Sequence, residues 1–277
     1  MASAPAIWLG NYSLGRAPAE TRWRAAAGAE FPAMSIWWSE VRNWLADGRD
    51  LRQFRERFYG SGLVPAQLEF VPLPARLSSA FRNEAQTAAE VAAGLGCVAV
   101  HAVALGAVFD PGAIEAAFGL LCDSCAAQNL PCGIEFIPYL SPVAGLAEAA
   151  ALLAAVRRPN AGVVVDTLHF FRSGADWAGL SALRPEQIVS VQVSDAPADL
   201  AAGADYGIEA RTGRLLPGEG ELALDRFVGA IRDTRPDLPL TIEVASTALD
   251  ALPPALAAAA MWRAARSLTA ATTKRSR

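Results

Sequence analysis

Residues 163–174 read VVVDTLHFFRSG. Three consecutive valines, apolar and β-branched, predict a strand buried on both faces, as in a parallel sheet covered by helices. The run stops at Asp166, and His169, one of two histidines in the chain, follows three residues later. A carboxylate is costly to bury beside valine without a partner. Its position at a strand's end therefore points to a site there.

Working outward, strand-like runs alternate with helix-like runs along the whole chain. The predicted strands are AIWLGNYS (6–13), AMSIWW (33–38), AQLEFV (66–71), CVAVHAV (97–103), CGIEFIPY (132–139), GVVVDTLH (162–169), IVSVQVSD (188–195) and LTIEVAS (240–246). Alanine-rich amphipathic stretches separate them, such as 78–96, which ends on a glycine suited to a helix C-cap, and 144–158. Eight such units in 277 residues is the arithmetic of a single (β/α)8 barrel. A doubly wound open sheet is the alternative, but LGNYSLG after the first strand does not match the dinucleotide-binding G-x-G-x-x-G. No linker divides the chain. The domain is expected over 1–270, with a basic, frayed tail at 271–277. The long irregular segment 196–221 is of the kind that often carries function.

Composition narrows the classes. The chain is 53% hydrophobic with net charge −4 and has no basic face for nucleic acid. No apolar run is long enough to span a membrane, and the N-terminus does not read as a signal peptide. A cytoplasmic location is expected, and self-association into a homo-oligomer is left open. Cys122 and Cys125 fall in a helical pattern without further zinc ligands nearby, so all four cysteines are expected as reduced, packed thiols. Lys274 is the only lysine, which argues against Schiff-base or lysine-base chemistry.

In a parallel barrel the C-terminal strand ends face the active site. The fifth strand carries Glu135 there, the sixth Asp166, the seventh Gln192 and the eighth Glu243, at separations of 31, 26 and 51 residues. Four oxygen donors on four successive strands suit one hard or borderline divalent cation, Mn2+ or Mg2+ first, with Zn2+ or Co2+ also compatible. Three carboxylates so close would repel one another without it. As single residues, each also reads as an ordinary buried polar group.

The motifs GIEF (133–136), VDTLHFFRSG (165–174), VQVSDAP (191–197), RLLPGEGEL (214–222) and TIEVAS (241–246) resemble those of the xylose isomerase-like TIM barrels, the sugar phosphate isomerase/epimerase superfamily. That group includes ketose 3-epimerases, inosose dehydratases and 3-dehydroshikimate dehydratases. The resemblance covers about the C-terminal 145 residues. It implies that Glu135, Asp166, Gln192 and Glu243 are the metal ligands, that His169 contacts substrate beside the metal, and that Glu135 and Glu243 are the proton-transferring pair. Where many members have histidine this chain has Gln192, whose amide oxygen coordinates equally and does not titrate. The lone lysine departs from xylose isomerase proper. Two histidines are too few for the trinuclear endonucleases. Ile137 stands where some 3-dehydroshikimate dehydratases have histidine.

Such a site suits proton abstraction next to a carbonyl through a metal-bound enediolate. The expected activity is a divalent-metal-dependent isomerase or epimerase acting on a small sugar-like or cyclic hydroxy-ketone. A dehydratase of the inosose or 3-dehydroshikimate type shares the intermediate, and a non-catalytic ligand-binding barrel is the third reading. Further expected substrate contacts are Glu69, His101, Arg214 and Trp37, with Arg172 and Arg211 as other candidate cations. Each also reads as structural: Glu69 as a paired edge residue, His101 as a core histidine. Trp37, Trp38, Phe170 and Phe171 are either packing or the wall of a site more apolar than a free sugar requires.

Overall fold

Parallel strands close on themselves in chain order: β1 (Ile7–Leu9), β2 (Ala33–Trp37), β3 (Val64–Pro72), β4 (Ala99–Val103), β5 (Cys132–Glu135), β6 (Ala161–Asp166), β7 (Ile188–Val193) and β8 (Leu240–Ile242), with β8 paired to β1. The structure is a computed structural model that describes residues 6–275. All eight expected strands are present, helices lie between them, and the fold is a single (β/α)8 barrel.

Most strands are shorter at their C-terminal ends than the apolar pattern suggests, because other groups take over the backbone hydrogen bonds there. After Leu9 the Asn11 N–H donates to Ser35 Oγ (2.8 Å) and the chain turns into a 3-10 helix, Asn11–Leu14. Beyond Glu135 the Ile137 N–H turns back to Val143 O (3.0 Å). β6 ends at Asp166 because its carboxylate accepts the His169 N–H (3.0 Å) and caps the helix Thr167–Arg172. His169 is thus a first-turn helix residue held by the capping aspartate. Strand β3 is longer than expected and slips register against β4 between Leu68 and Val71.

The stretch 78–96 forms the helix Ser79–Leu95, and Gly96 closes it at φ +89°. The helix Ala113–Ala126 carries Cys122 and Cys125, and all four cysteines are buried and free. The final helix, Pro254–Arg275, runs across the boundary expected at 270, and residues 276–277 lie outside the described residues. Among the described residues, no helix is long and apolar enough to cross a membrane.

Barrel interiors are commonly filled by branched aliphatic side chains. Here the axis holds polar ones. Gln67 Nε2 on β3 reaches across to Ser190 Oγ on β7 (3.2 Å) and Thr241 Oγ1 on β8 (3.4 Å). A step nearer the C-terminal end, Gln192 Nε2 reaches back to Glu69 Oε1 (3.4 Å). This polar column forms the base of the site.

Candidate active site

Strand register sets the four predicted donors on one wall. Asp166 pairs with Gln192, Gln192 with Thr241, and Glu135 with Val164. Asp166 lies two residues beyond Val164 and Glu243 two beyond Thr241. All offsets are even, so the four positions share one face of the pleat. Relative exposures are 2% for Glu135, 0% for Asp166, 2% for Gln192 and 4% for Glu243.

Glu135, Glu243 and His169 line a cavity of about 420 Å³ at the C-terminal mouth of the barrel. Trp37, expected at the site, lines it too, and its ring lies 5.7 Å from that of Tyr12. Arg211 lines the same cavity. Both Trp37 and Trp38 face it, because Trp38 has left the strand and begins a helix, which removes the alternation. Phe170 and Phe171 form no wall. They pack with Trp177 and Phe227, since the helix after β6 turns that face toward its neighbours. Arg172 is taken by Glu209 in a two-pronged pair (2.8 and 2.6 Å).

Glu69, His101 and Arg214, expected as substrate contacts, are buried at 1–2% and do not line the cavity. They form the layer beneath and behind it. Arg214 Nη1 donates to Asp166 (2.6 Å) and to the Glu243 carbonyl (3.2 Å), and Nη2 lies 3.8 Å from the Glu243 carboxylate. Glu69 accepts from Ser35 Oγ (2.5 Å), and His101 Nδ1 lies 3.7 Å from its other oxygen.

Electrostatics follow from this placement. Burial works to raise the Asp166 carboxyl, but the Arg214 guanidinium, His169 and the capping N–H outweigh it and hold it below the usual range. Glu243 is pushed well up by burial, which Arg214 opposes and the carboxylates of Glu69, Glu135 and Asp166 reinforce. Burial also takes Glu69 up to about 8, against its hydrogen bond from Ser35. His101 falls to about 3 through burial and is neutral.

Two residues that the sequence reading did not single out complete the site. Tyr206 Oη hydrogen-bonds His169 Nδ1, leaving Nε2 3.2 Å from Glu135. It opens the helix Tyr206–Thr212 inside the long 196–221 segment, and the signal was the capping Asp205 before it. Asp195 holds that segment shut by accepting from the Ala196, Gly218 and Leu222 amides (2.9–3.1 Å). This accounts for the aspartate of VQVSD and the turn of PGEG occurring together.

Among the described residues, no three His, Cys, Asp or Glu side chains are already gathered closely enough to hold a metal ion. The acids close instead on Arg214, His169 and the Gln192 amide. The donor chemistry nevertheless fits a cation. Asp166 and Glu243 lie buried against the Arg214 guanidinium, Glu135 beside His169 and Glu69 against Ser35, and Gln192 Oε1 is buried with no hydrogen-bond partner, while its Nε2 donates to Glu243 and Glu69. A buried, unpaired amide oxygen beside excess carboxylate is a place for a positive charge.

The sequence model of a family described as xylose isomerase-like TIM barrel matches residues 23–266. Among solved structures, a xylose isomerase-like TIM barrel/4-hydroxyphenylpyruvate dioxygenase fusion protein superposes with TM-score 0.83 at 21% identity, over 99% of this chain. The chain spans 44% of the length of that fusion. An IolI protein with a bound zinc atom gives TM-score 0.82 at 16% identity, over 96% of this chain and 98% of that one. A D-allulose 3-epimerase from Methylomonas sp. gives 0.73 at 16%, over 95% and 97%. At these identities the likeness is one of fold. Comparison with curated protein sequences gives no match.

Proposed function

We propose that this chain, which belongs to the xylose isomerase-like TIM barrel family, is a divalent-metal-dependent isomerase or epimerase of a small hydroxy-ketone. The observation that carries the reading is the placement of Glu135, Asp166, Gln192 and Glu243 on one face of neighbouring strand ends, with the buried Gln192 Oε1 left unpartnered. Those four residues would hold the cation, which supplies Lewis-acid polarisation of the carbonyl and its neighbouring hydroxyl.

The chain's own side chains account for the rest. Glu135 and Glu243 are the carboxylates that reach the cavity. One takes the proton next to the carbonyl and the other returns it. Tyr206 fixes the His169 ring, so that its Nε2 is presented beside Glu135, where it can orient a substrate hydroxyl. Arg214 keeps Asp166 ionised and therefore able to bind a cation. The apolar wall limits water at the reacting carbon. Two similar structures bear on this reading by their descriptions: one an epimerase, one zinc-bound.

The test is exchange of solvent deuterium into the carbon next to the carbonyl, followed by NMR across a panel of keto-sugars and keto-cyclitols with Mn2+ present. Exchange is expected in the wild type and absent in Glu243→Gln, with an unchanged circular dichroism spectrum. Exchange that survives in Glu243→Gln at normal metal content contradicts the assignment. Loss of water to give a conjugated, absorbing product would move the chemistry to dehydration on the same site.

A further inference from the structure

Phe70 (φ 67°) and Tyr139 (φ 63°) hold left-handed backbone conformations that bulky residues seldom adopt. Such strain persists where the surrounding structure enforces it, and it concentrates at ligand sites. Phe70 occupies the register slip of β3, lines the cavity and is 39% exposed. Tyr139 lines an adjoining hollow, is 74% exposed, and packs 5.3 Å from the ring of Tyr206. The two hollows share Leu105, Leu140 and Arg211, so they form one trough from the carboxylates to the surface.

The polarity of that trough is uneven. Its inner end carries Glu135, His169 and Glu243. Past them much of the wall is apolar, with Trp37, Phe70, Leu105 and Leu140, and the polar groups on the lining there are Tyr12, Ser39, Arg42 and Arg211. A free sugar carries a hydroxyl on nearly every carbon, and each one buried against such walls would lose its water without gaining a partner. A ring without hydroxyls loses nothing there and gains by burial.

We infer that the substrate is amphipathic: a hydroxy-ketone head meets the carboxylates, and an aryl or comparably apolar ring fills the trough between Trp37, Phe70 and Leu140. The head's place rests on the function proposed above, whereas the ring's place rests on the trough alone. Tyr139 and Arg211 then border the outer edge of the ring. The two strained aromatics are the residues that define this specificity.

The experiment is a ligand-observed NMR titration of the full-length, Mg2+-loaded protein with three compounds: hydroxyacetone, 2-hydroxyacetophenone and D-fructose. The first two share a head and differ in a phenyl ring. 2-Hydroxyacetophenone is expected to bind at least about tenfold more tightly than either of the others, the scale of burying one aromatic ring. Phe70→Gly removes the ring and relaxes a left-handed backbone, so it should fold. It should lose most of the phenyl preference and leave hydroxyacetone affinity unchanged. D-Fructose binding as tightly as the phenyl ketone, or an undiminished preference in Phe70→Gly, would overturn the inference. Repeating the titration after chelation separates the two claims. Phenyl-dependent binding that is indifferent to Mg2+ supports the trough and counts against the metal-dependent reading. Mg2+-dependent binding of all three without phenyl preference does the reverse.

Discussion

Glu69→Gln in metal-free protein is expected to stabilise the barrel, and the gain should grow with pH. Glu69 is 2% exposed and its carboxyl is raised from 4.5 to about 8. Its folded-state pKa lies above the unfolded one. Between those values the unfolded chain releases a proton that the folded chain keeps, so stability falls as pH rises through this window. At about 1.36 kcal/mol per pKa unit the full cost near pH 8 is roughly 4–5 kcal/mol. A glutamine keeps the acceptor for Ser35 and carries no titratable proton. Rearranging its contacts with Gln192 and His101 should return about 1 kcal/mol of that gain. The net expectation is roughly 3 kcal/mol at pH 8, or about 6 °C in Tm for a chain of this size, falling to about zero near pH 5 and turning slightly unfavourable below it. Urea unfolding of chelated wild type and variant at pH 5, 6, 7 and 8 reads this directly. A variant equally destabilised at pH 5 and pH 8 would mean that Glu69 does not hold a proton in the folded barrel that the unfolded chain releases.

Two other outcomes follow from single contacts. Arg214→Met leaves the buried Asp166 carboxylate without its 2.6 Å partner and should cost roughly 3–5 kcal/mol at pH 7 by denaturant unfolding. Asp166 has a depressed folded pKa, so that loss should shrink as pH falls below the usual carboxylate range; a loss under about 1 kcal/mol would mean that the pair is not holding the site. Gly162→Ala would place a Cβ 2.4 Å from the Gln187 carbonyl oxygen and 2.7 Å from Val189 Cγ2. It should lower Tm by several degrees through displaced backbone, and an unchanged melting curve would argue against this β6 geometry.

The barrel was legible because every strand is an apolar run and every crossover has a helical period. The four candidate donors stood out because a polar residue in such a run is conspicuous, and register sets all four positions on one face. The strand ends were less so. Asp166 looks like a strand residue until its carboxylate is seen capping the helix that carries His169. Arg214 could be read as a cation near the site, but not as the partner of Asp166, since 48 residues of chain separate them. Glu69 and His101 read as strand-end polar groups, and the pattern alone did not tell a cavity wall from the layer beneath it. Tyr206 escaped notice because a tyrosine in a loop carries no periodic signal. Its role appears only when the segment folds back and sets its hydroxyl against His169.

The proposed function stands on the binding of one divalent cation by Glu135, Asp166, Gln192 and Glu243. Elemental analysis of the purified protein, beside the Asp166→Ala variant, tests it most directly. The expected result is about one Mn, Mg, Zn or Co per chain in the wild type, lost in the variant. No metal in either protein after incubation with excess Mn2+, or equal metal in both, would contradict it.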